Sequence, residues 1–134
     1  MTQMPTAAAA PEVAGPETVV GRAIARYIRM TPRKVGYVIR PLRQHTVAEA
    51  LTILSVTNRR ACGPVAKLLA SAFANARAKE PTLREEDVFI SRITADDGPR
   101  WKRFRAAGFG RATRILKRTT HITIELEKRA RHGA

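Results

Sequence analysis

Residues Asp97 to His121 read DGPRWKRFRAAGFGRATRILKRTTH. Arg100, Lys102, Arg103, Arg105, Arg111, Arg114, Lys117 and Arg118 place eight positive charges in this stretch, and no Asp or Glu occurs between Gly98 and Ile124. Its middle, Ala106-Ala107-Gly108-Phe109-Gly110, has the small residues and glycines of a loop tip. On either side Trp101, Phe104, Ile115 and Leu116 stand among the cations. The pattern predicts a long β-hairpin, over about 88–120, whose arms are too charged to pack on a protein core. Such a segment repels itself and calls for an external polyanion. At about 3.3 Å per residue, an arm from Asp97 to Arg105 projects roughly 30 Å beyond the body that holds it.

The flanks of this stretch are strands. On its far side Thr120, Ile122, Ile124 and Leu126 alternate with His121, Thr123, Glu125 and Glu127, the cleanest period-2 pattern in the chain, which predicts one buried face. On its near side the acidic turn Glu85-Glu86-Asp87 precedes Val88-Phe89-Ile90 and Ile93, a strand leading into the hairpin. A third strand is read over Val19–Arg29, with Gly21, Ala23, Ala25 and Tyr27 on one face and Arg22, Ile24, Arg26 and Ile28 on the other. The second face is either a solvated edge or a surface turned to RNA.

Three helices fill the interval. Thr31-Pro32 is a helix start, a hydroxyl to accept from the first free amides and then a proline whose missing N–H costs nothing at the first helical position. Val35, Val38, Ile39 and Leu42 mark its buried face, and Pro41 predicts a kink or early end. Thr46-Val47-Ala48-Glu49 is a capping box opening a second helix, with Val47, Ala50, Leu51 and Leu54 as its stripe. The longest helix covers about Arg60–Lys79, with Val65, Leu68, Leu69, Ala72, Phe73 and Ala76 inward. It starts either from an Asn58 cap, with Pro64 in its first turns, or afresh at Pro64. Arg59, Arg60, Lys67, Arg77 and Lys79 read as its solvated face. The class is α+β: three helices packed on a small antiparallel three-stranded sheet, with a long protruding β-hairpin.

Composition agrees. The 134 residues suit one domain, residues 18–128, between a disordered Ala/Pro-rich tail over 1–17 and a short basic tail over 129–134. The hydrophobic share of 44% includes 22 alanines and only 5% of the chain is aromatic, so the core is thin and its stability leans on a partner. A net charge of +14 and a pI near 11.5 make nucleic acid the first partner to consider and an anionic membrane the second. One cysteine, Cys62, excludes an internal disulfide and reads as a small buried residue. No Cys/His cluster has metal-ligand spacing. Asp96-Asp97-Gly98 lacks the remaining ligands of a calcium loop and reads as a turn. The N-terminus has no secretory or organelle signal and no run is long enough to span a membrane, so a cytoplasmic protein is expected. No nucleophile–base pair and no phosphate-cradling glycine loop supports an enzyme, and no cofactor is implied.

Several stretches in register carry a resemblance. Tyr27-Ile28-Arg29-Met30-Thr31-Pro32-Arg33-Lys34-Val35, Lys67-Leu68-Leu69-Ala70-Ser71-Ala72-Phe73-Ala74-Asn75-Ala76, Asp97-Gly98-Pro99, Gly110-Arg111-Ala112 and Lys117-Arg118-Thr119-Thr120-His121-Ile122-Thr123 resemble the bacterial large-subunit ribosomal protein of the L-twenty-two family. The resemblance covers about Val19–Glu127. It implies a body bound on large-subunit ribosomal RNA and a hairpin that lines the nascent-peptide exit tunnel, a role in assembly, and a hairpin whose changes can alter macrolide response. The implied partners are that RNA, neighbouring ribosomal proteins and the nascent peptide near the tip, with neither membrane nor homo-oligomer. The chain departs from the family at Arg43-Gln44-His45, where Arg-Gly-Lys is usual, and at Pro41. At the tip Ala106-Ala107 replaces a Pro-Arg pair, Trp101 a small or aliphatic residue and Phe109 a polar one.

For RNA binding the candidates are Arg100, Lys102, Arg103, Arg105, Arg111, Arg114, Lys117 and Arg118 on the hairpin, with Arg29, Arg33 and Lys34 at the first helix. Arginine bridges phosphate oxygens or lies on a base, whereas lysine acts as a point charge. Trp101 is expected either to stack on an unpaired base or to pack in the core. His121 is expected to bond RNA or neighbouring backbone. The competing reading is a DNA-bending architectural protein with a basic β-ribbon arm, though no apolar dimer seam and no tip proline support it.

Overall fold

Thr120–Lys128, the strand of clean alternation, is the middle strand of a three-stranded antiparallel sheet in the computed structural model, which describes residues 19–129. The strands are β1 (Val19–Ile28), β2 (Val88–Asp97), β3 (Trp101–Ala106), β4 (Ala112–Lys117) and β5 (Thr120–Lys128). The helices are α1 (Pro32–Ile39), α2 (Val47–Val56) and α3 (Cys62–Lys79). The sheet order is β1-β5-β2, and β3 with β4 forms a separate two-stranded ribbon. This is the expected α+β arrangement, with the hairpin leaving the body between β2 and β5. The tail readings fall outside the described residues except at Arg129, whose amide donates to the Asp87 carbonyl at 2.7 Å.

Ile122, Ile124 and Leu126 are fully buried on one face of β5, beside Ile90 and Ile93 of β2. Each such side chain contributes about 1.5–3 kcal/mol relative to exposure. The alanines have a structural use on the same side of the sheet. A Cβ on Gly21 of β1 would stand 2.5 Å from the Ala72 carbonyl oxygen and 2.8 Å from the Ala76 Cβ of α3, so strand and helix meet backbone to backbone through a seam of small residues. Asn75 seals it, donating from Nδ2 to the Arg22 carbonyl at 2.9 Å.

The helix signals hold with two changes at their starts. Thr31 caps α1 and Pro32 is its first residue, but the Thr31 hydroxyl makes no capping bond. The Thr31 carbonyl instead accepts from the Val35 amide at 3.3 Å. Helix α3 begins at Cys62 behind Ala61 rather than at Asn58 or Pro64. Pro64 then falls in the first turn, where no intrahelical donor is needed. As the sequence predicts, α1 ends at Ile39, before Pro41, in a short 3-10 turn over Arg40–Leu42. The capping box is complete: the Glu49 amide donates to Thr46 Oγ1 and the Thr46 amide donates to Glu49 Oε2.

Three further expectations are corrected. Tyr27 does not share the inner face of β1, because the β1–β5 register slips between Ala25↔Ile122 and Ile28↔Thr120. Arg26 and Tyr27 together oppose His121, a bulge with Tyr27 at φ 58, which turns Tyr27 outward and Ile28 partly inward. Asp96 and Asp97 are not a turn but the last rungs of β2, opposite His121 and Thr120. With Asp97 in the body, the arm starts at Trp101, and six residues at about 3.3 Å give a projection of roughly 20 Å plus the tip.

Candidate nucleic-acid interface

The ribbon pairs through six rungs, from Trp101↔Lys117 to Ala106↔Ala112. Alternation then puts Trp101, Arg103, Arg105, Thr113, Ile115 and Lys117 on one face, and Lys102, Phe104, Arg114 and Leu116 with two alanines on the other. Both faces carry cations beside apolar groups, so neither can seal against a protein core. Every residue from Trp101 to Arg114 is exposed. At the tip the Ala107 amide donates to the Arg111 carbonyl at 2.8 Å. Phe109 (φ 60) and Gly110 (φ 66) take consecutive left-handed conformations. That conformation costs a bulky residue energy, and it leaves the Phe109 ring wholly in solvent.

The neck between body and ribbon is fixed. Thr119 is fully buried, accepts the Gly98 amide on its carbonyl at 2.9 Å and donates its hydroxyl to the Pro99 carbonyl at 2.7 Å. Thr120, equally buried, donates to the Met30 carbonyl at 2.7 Å. The Arg29 guanidinium lies 4.0 Å from the centroid of the Trp101 ring. Trp101 is thus neither in the core nor free on both faces. It clasps the ribbon to the loop after β1, with 38% of its surface open. His121 bonds backbone: its Nδ1 accepts the Tyr27 amide at 3.1 Å and its ring meets that of Tyr27 edge-on at 5.0 Å. Accepting at Nδ1 places the proton of the neutral ring on Nε2.

Charge is distributed unevenly along this path. Arg100 pairs with Asp97 at 2.7 Å, and that hydrogen bond, helped by the nearby Arg118 charge, holds the Asp97 carboxyl below its usual range. Arg103 donates to the Lys102 carbonyl at 2.9 Å. Lys102, Arg105, Arg111, Arg114 and Lys117 point from the ribbon without a carboxylate opposite them in the ribbon's register. Arg33 lines a separate, smaller hollow with Asp97 and Arg118.

Arg29, Lys34, Lys117 and Arg118 converge with Arg59 and Arg60 around a groove of about 810 Å³ at the ribbon's base. Met30, Ala61 and Leu116 line it as apolar surface, Tyr37 forms part of its wall, and no carboxylate lines it. The sequence reading gives Arg59 and Arg60 to a solvated helix face and leaves Tyr37 out. What carries them here is the packing of α3 on β1 and of α1 beside β5, contacts between residues far apart in the chain. The lone local signal is an Arg-Arg pair immediately before a helix start. Among the described residues, no group of three His, Cys, Asp or Glu side chains could hold a metal ion, and no helix is long and apolar enough to cross a membrane.

Comparison with known proteins assigns the chain to a family. The family model for ribosomal protein L22p/L17e matches residues 23–127. A large ribosomal subunit protein uL22 from Thermoanaerobacter sp. strain X514 is 45% identical over 108 residues, covering 81% of this chain and 96% of the relative. One from Bifidobacterium longum strain DJO10A is 47% identical over 108 residues, covering 77% and 90%. One from Synechococcus sp. strain JA-3-3Ab is 50% identical over 103 residues, covering 77% and 83%. The match takes in both strands of the ribbon, its neck and all three helices, so the chain belongs to the ribosomal protein L22p/L17e family and is a structural protein of the ribosome, not an enzyme.

Proposed function

We propose that this protein is a constituent of the large subunit of the cytoplasmic ribosome that works as one RNA-binding domain over residues 18–128. Lys102, Arg103, Arg105, Arg111, Arg114 and Lys117 neutralise ribosomal RNA phosphates along the ribbon, while Arg29, Arg33 and Lys34 anchor the body. Arg100, Trp101, Arg118 and His121 set the neck from which the ribbon projects. RNA folding around this ribbon gains a cationic strut, which is a contribution to assembly. The tip, with Phe109 foremost, lies along the exit tunnel beside the nascent peptide and neighbouring ribosomal proteins.

One observation carries this reading: a ribbon without an acidic residue is exposed on both faces yet held at its root by hydrogen bonds from two buried threonines. A charged arm that is rigidly aimed and unable to cover itself is suited to a polyanion that encloses it. The test is binding of the purified full chain to large-subunit RNA across a salt series. Phosphate contacts from these ribbon and body cations, about nine on structured RNA, predict a log–log slope of about −6 to −8. A flat response overturns the RNA reading. For the tip, a photoreactive analogue at position 109 is expected to crosslink to a stalled nascent chain in assembled ribosomes, and labelling of RNA alone overturns the tunnel assignment.

A further inference from the structure

The groove at the ribbon's base has more than a phosphate site requires. Duplex RNA offers a protein mainly phosphates and 2′-hydroxyls, which need a cationic rim and nothing else. This groove has that rim, six cations with no lining carboxylate, but beneath it are the apolar surfaces of Met30 and Leu116. Its wall is an aromatic ring: Tyr37 is 49% exposed, on the face of α1 opposite the buried Val35, Val38 and Ile39. Lys34, one turn earlier, stands on the same face. The Arg40 guanidinium lies 5.8 Å from the Tyr37 ring centroid. The volume of about 810 Å³ lies within the roughly 300–1,000 Å³ of sites that take up small organic groups.

From this we infer that the groove holds an unpaired RNA nucleotide, its base against Tyr37 and the apolar floor and its flanking phosphates on Arg59, Arg60 and Lys117. Apolar floor, aromatic wall and cationic rim match the base, its flat face and its phosphodiester in that order. The inference rests on the RNA-binding reading and adds to it the strand state of the RNA at one place. It also separates two kinds of contact: the ribbon reads phosphates, whereas the groove selects a base freed from its stack.

The test uses the full chain with an RNA stem carrying a single-stranded adenine bulge and the same stem fully paired. The bulged stem is expected to bind about tenfold or more tightly, and Tyr37→Ala is expected to erase that preference, since stacking on one aromatic ring supplies on the order of tenfold to a hundredfold. Tyr37→Phe keeps it, because the ring rather than the hydroxyl does the stacking. Arg59→Ala with Arg60→Ala weakens both RNAs and reduces the salt slope by about 2. Equal binding of the two stems, or a preference for the bulge that survives Tyr37→Ala in a protein of unchanged circular dichroism, overturns the groove assignment while leaving the RNA reading standing. If neither stem binds, and large-subunit RNA does not bind either, both readings fall.

Discussion

Gly98 and Thr119 lock the ribbon to the body: the Gly98 amide donates to the Thr119 carbonyl at 2.9 Å, and a Cβ on Gly98 would overlap the Thr119 hydroxyl oxygen. That hydroxyl belongs to a fully buried residue and is committed to the Pro99 carbonyl, so it cannot swing away without giving up its bond. Gly98→Ala is therefore expected to destabilise the protein by about 1–3 kcal/mol, the usual cost of overpacking. Thr119→Ala clears the overlap at the cost of the hydroxyl's own bond, so the double variant should be less damaged than the sum of the two singles. Urea midpoints for the four proteins test this, and additivity within about 0.5 kcal/mol rules the lock out.

Trp101 is the chain's one tryptophan, so its emission reports on the clasp with Arg29. Removing the guanidinium in Arg29→Ala uncovers one face of the indole. The expected result is a red-shifted emission and faster acrylamide quenching, with a stability loss of about 0.5–1 kcal/mol, as for a cation–π contact at an exposed site. Arg29→Lys should recover part of the protection. An unchanged spectrum in Arg29→Ala would show that the ribbon is held without this contact.

What the residues alone disclose, and what they do not, divides along the range of the interactions. The β5 alternation, the stop before Pro41, the Thr46–Glu49 box and the Ala106–Gly110 tip are set by neighbours a few residues apart, and all four hold. The bulge at Tyr27 is invisible in the alternation of β1. It exists because Nδ1 of His121, 94 residues away, offers an acceptor to the displaced amide. Trp101 could be placed among the cations but not paired with Arg29, and Arg59 and Arg60 were legible only as charge. The sequence locates the ribbon well. The groove at its foot is made by elements that meet only in the fold.

At the start of α2, the Thr46 amide and then the His45 ring hold the Glu49 carboxyl below its ordinary value of 4.5. A depressed carboxyl pKa stabilises the fold fully above the unfolded value, and the benefit is lost as pH falls through the folded one. Glu49→Gln keeps an acceptor oxygen but abolishes the titration. The parent should be the more stable at pH 7, and the two should converge as the pH drops below about 4. Urea midpoints at pH 7, 5 and 3 measure it. A difference that stays constant across that range would mean the carboxylate charge has no part in the cap.

Gln44 occupies a left-handed conformation, φ 65, in the connection between α1 and α2. The connection cannot relax, because the Gln44 amide donates to the Ile90 carbonyl at 3.1 Å and the Ile90 amide donates to the His45 carbonyl at 3.0 Å. Both bonds belong to one short bridge onto β2. The resemblance to the L-twenty-two family implies glycine at this position, the residue for which such a φ costs nothing. For glutamine the conformation costs about 1–2 kcal/mol, whereas glycine would add about 0.5–1 kcal/mol of unfolded-state freedom. Gln44→Gly is thus expected to gain up to about 1 kcal/mol on balance, and Gln44→Val, with its branched Cβ, to lose about 1–3 kcal/mol. Thermal and urea unfolding of the three proteins give the order glycine, glutamine, valine. A glycine variant less stable than the parent would mean that the Gln44 side chain contributes more than its backbone costs.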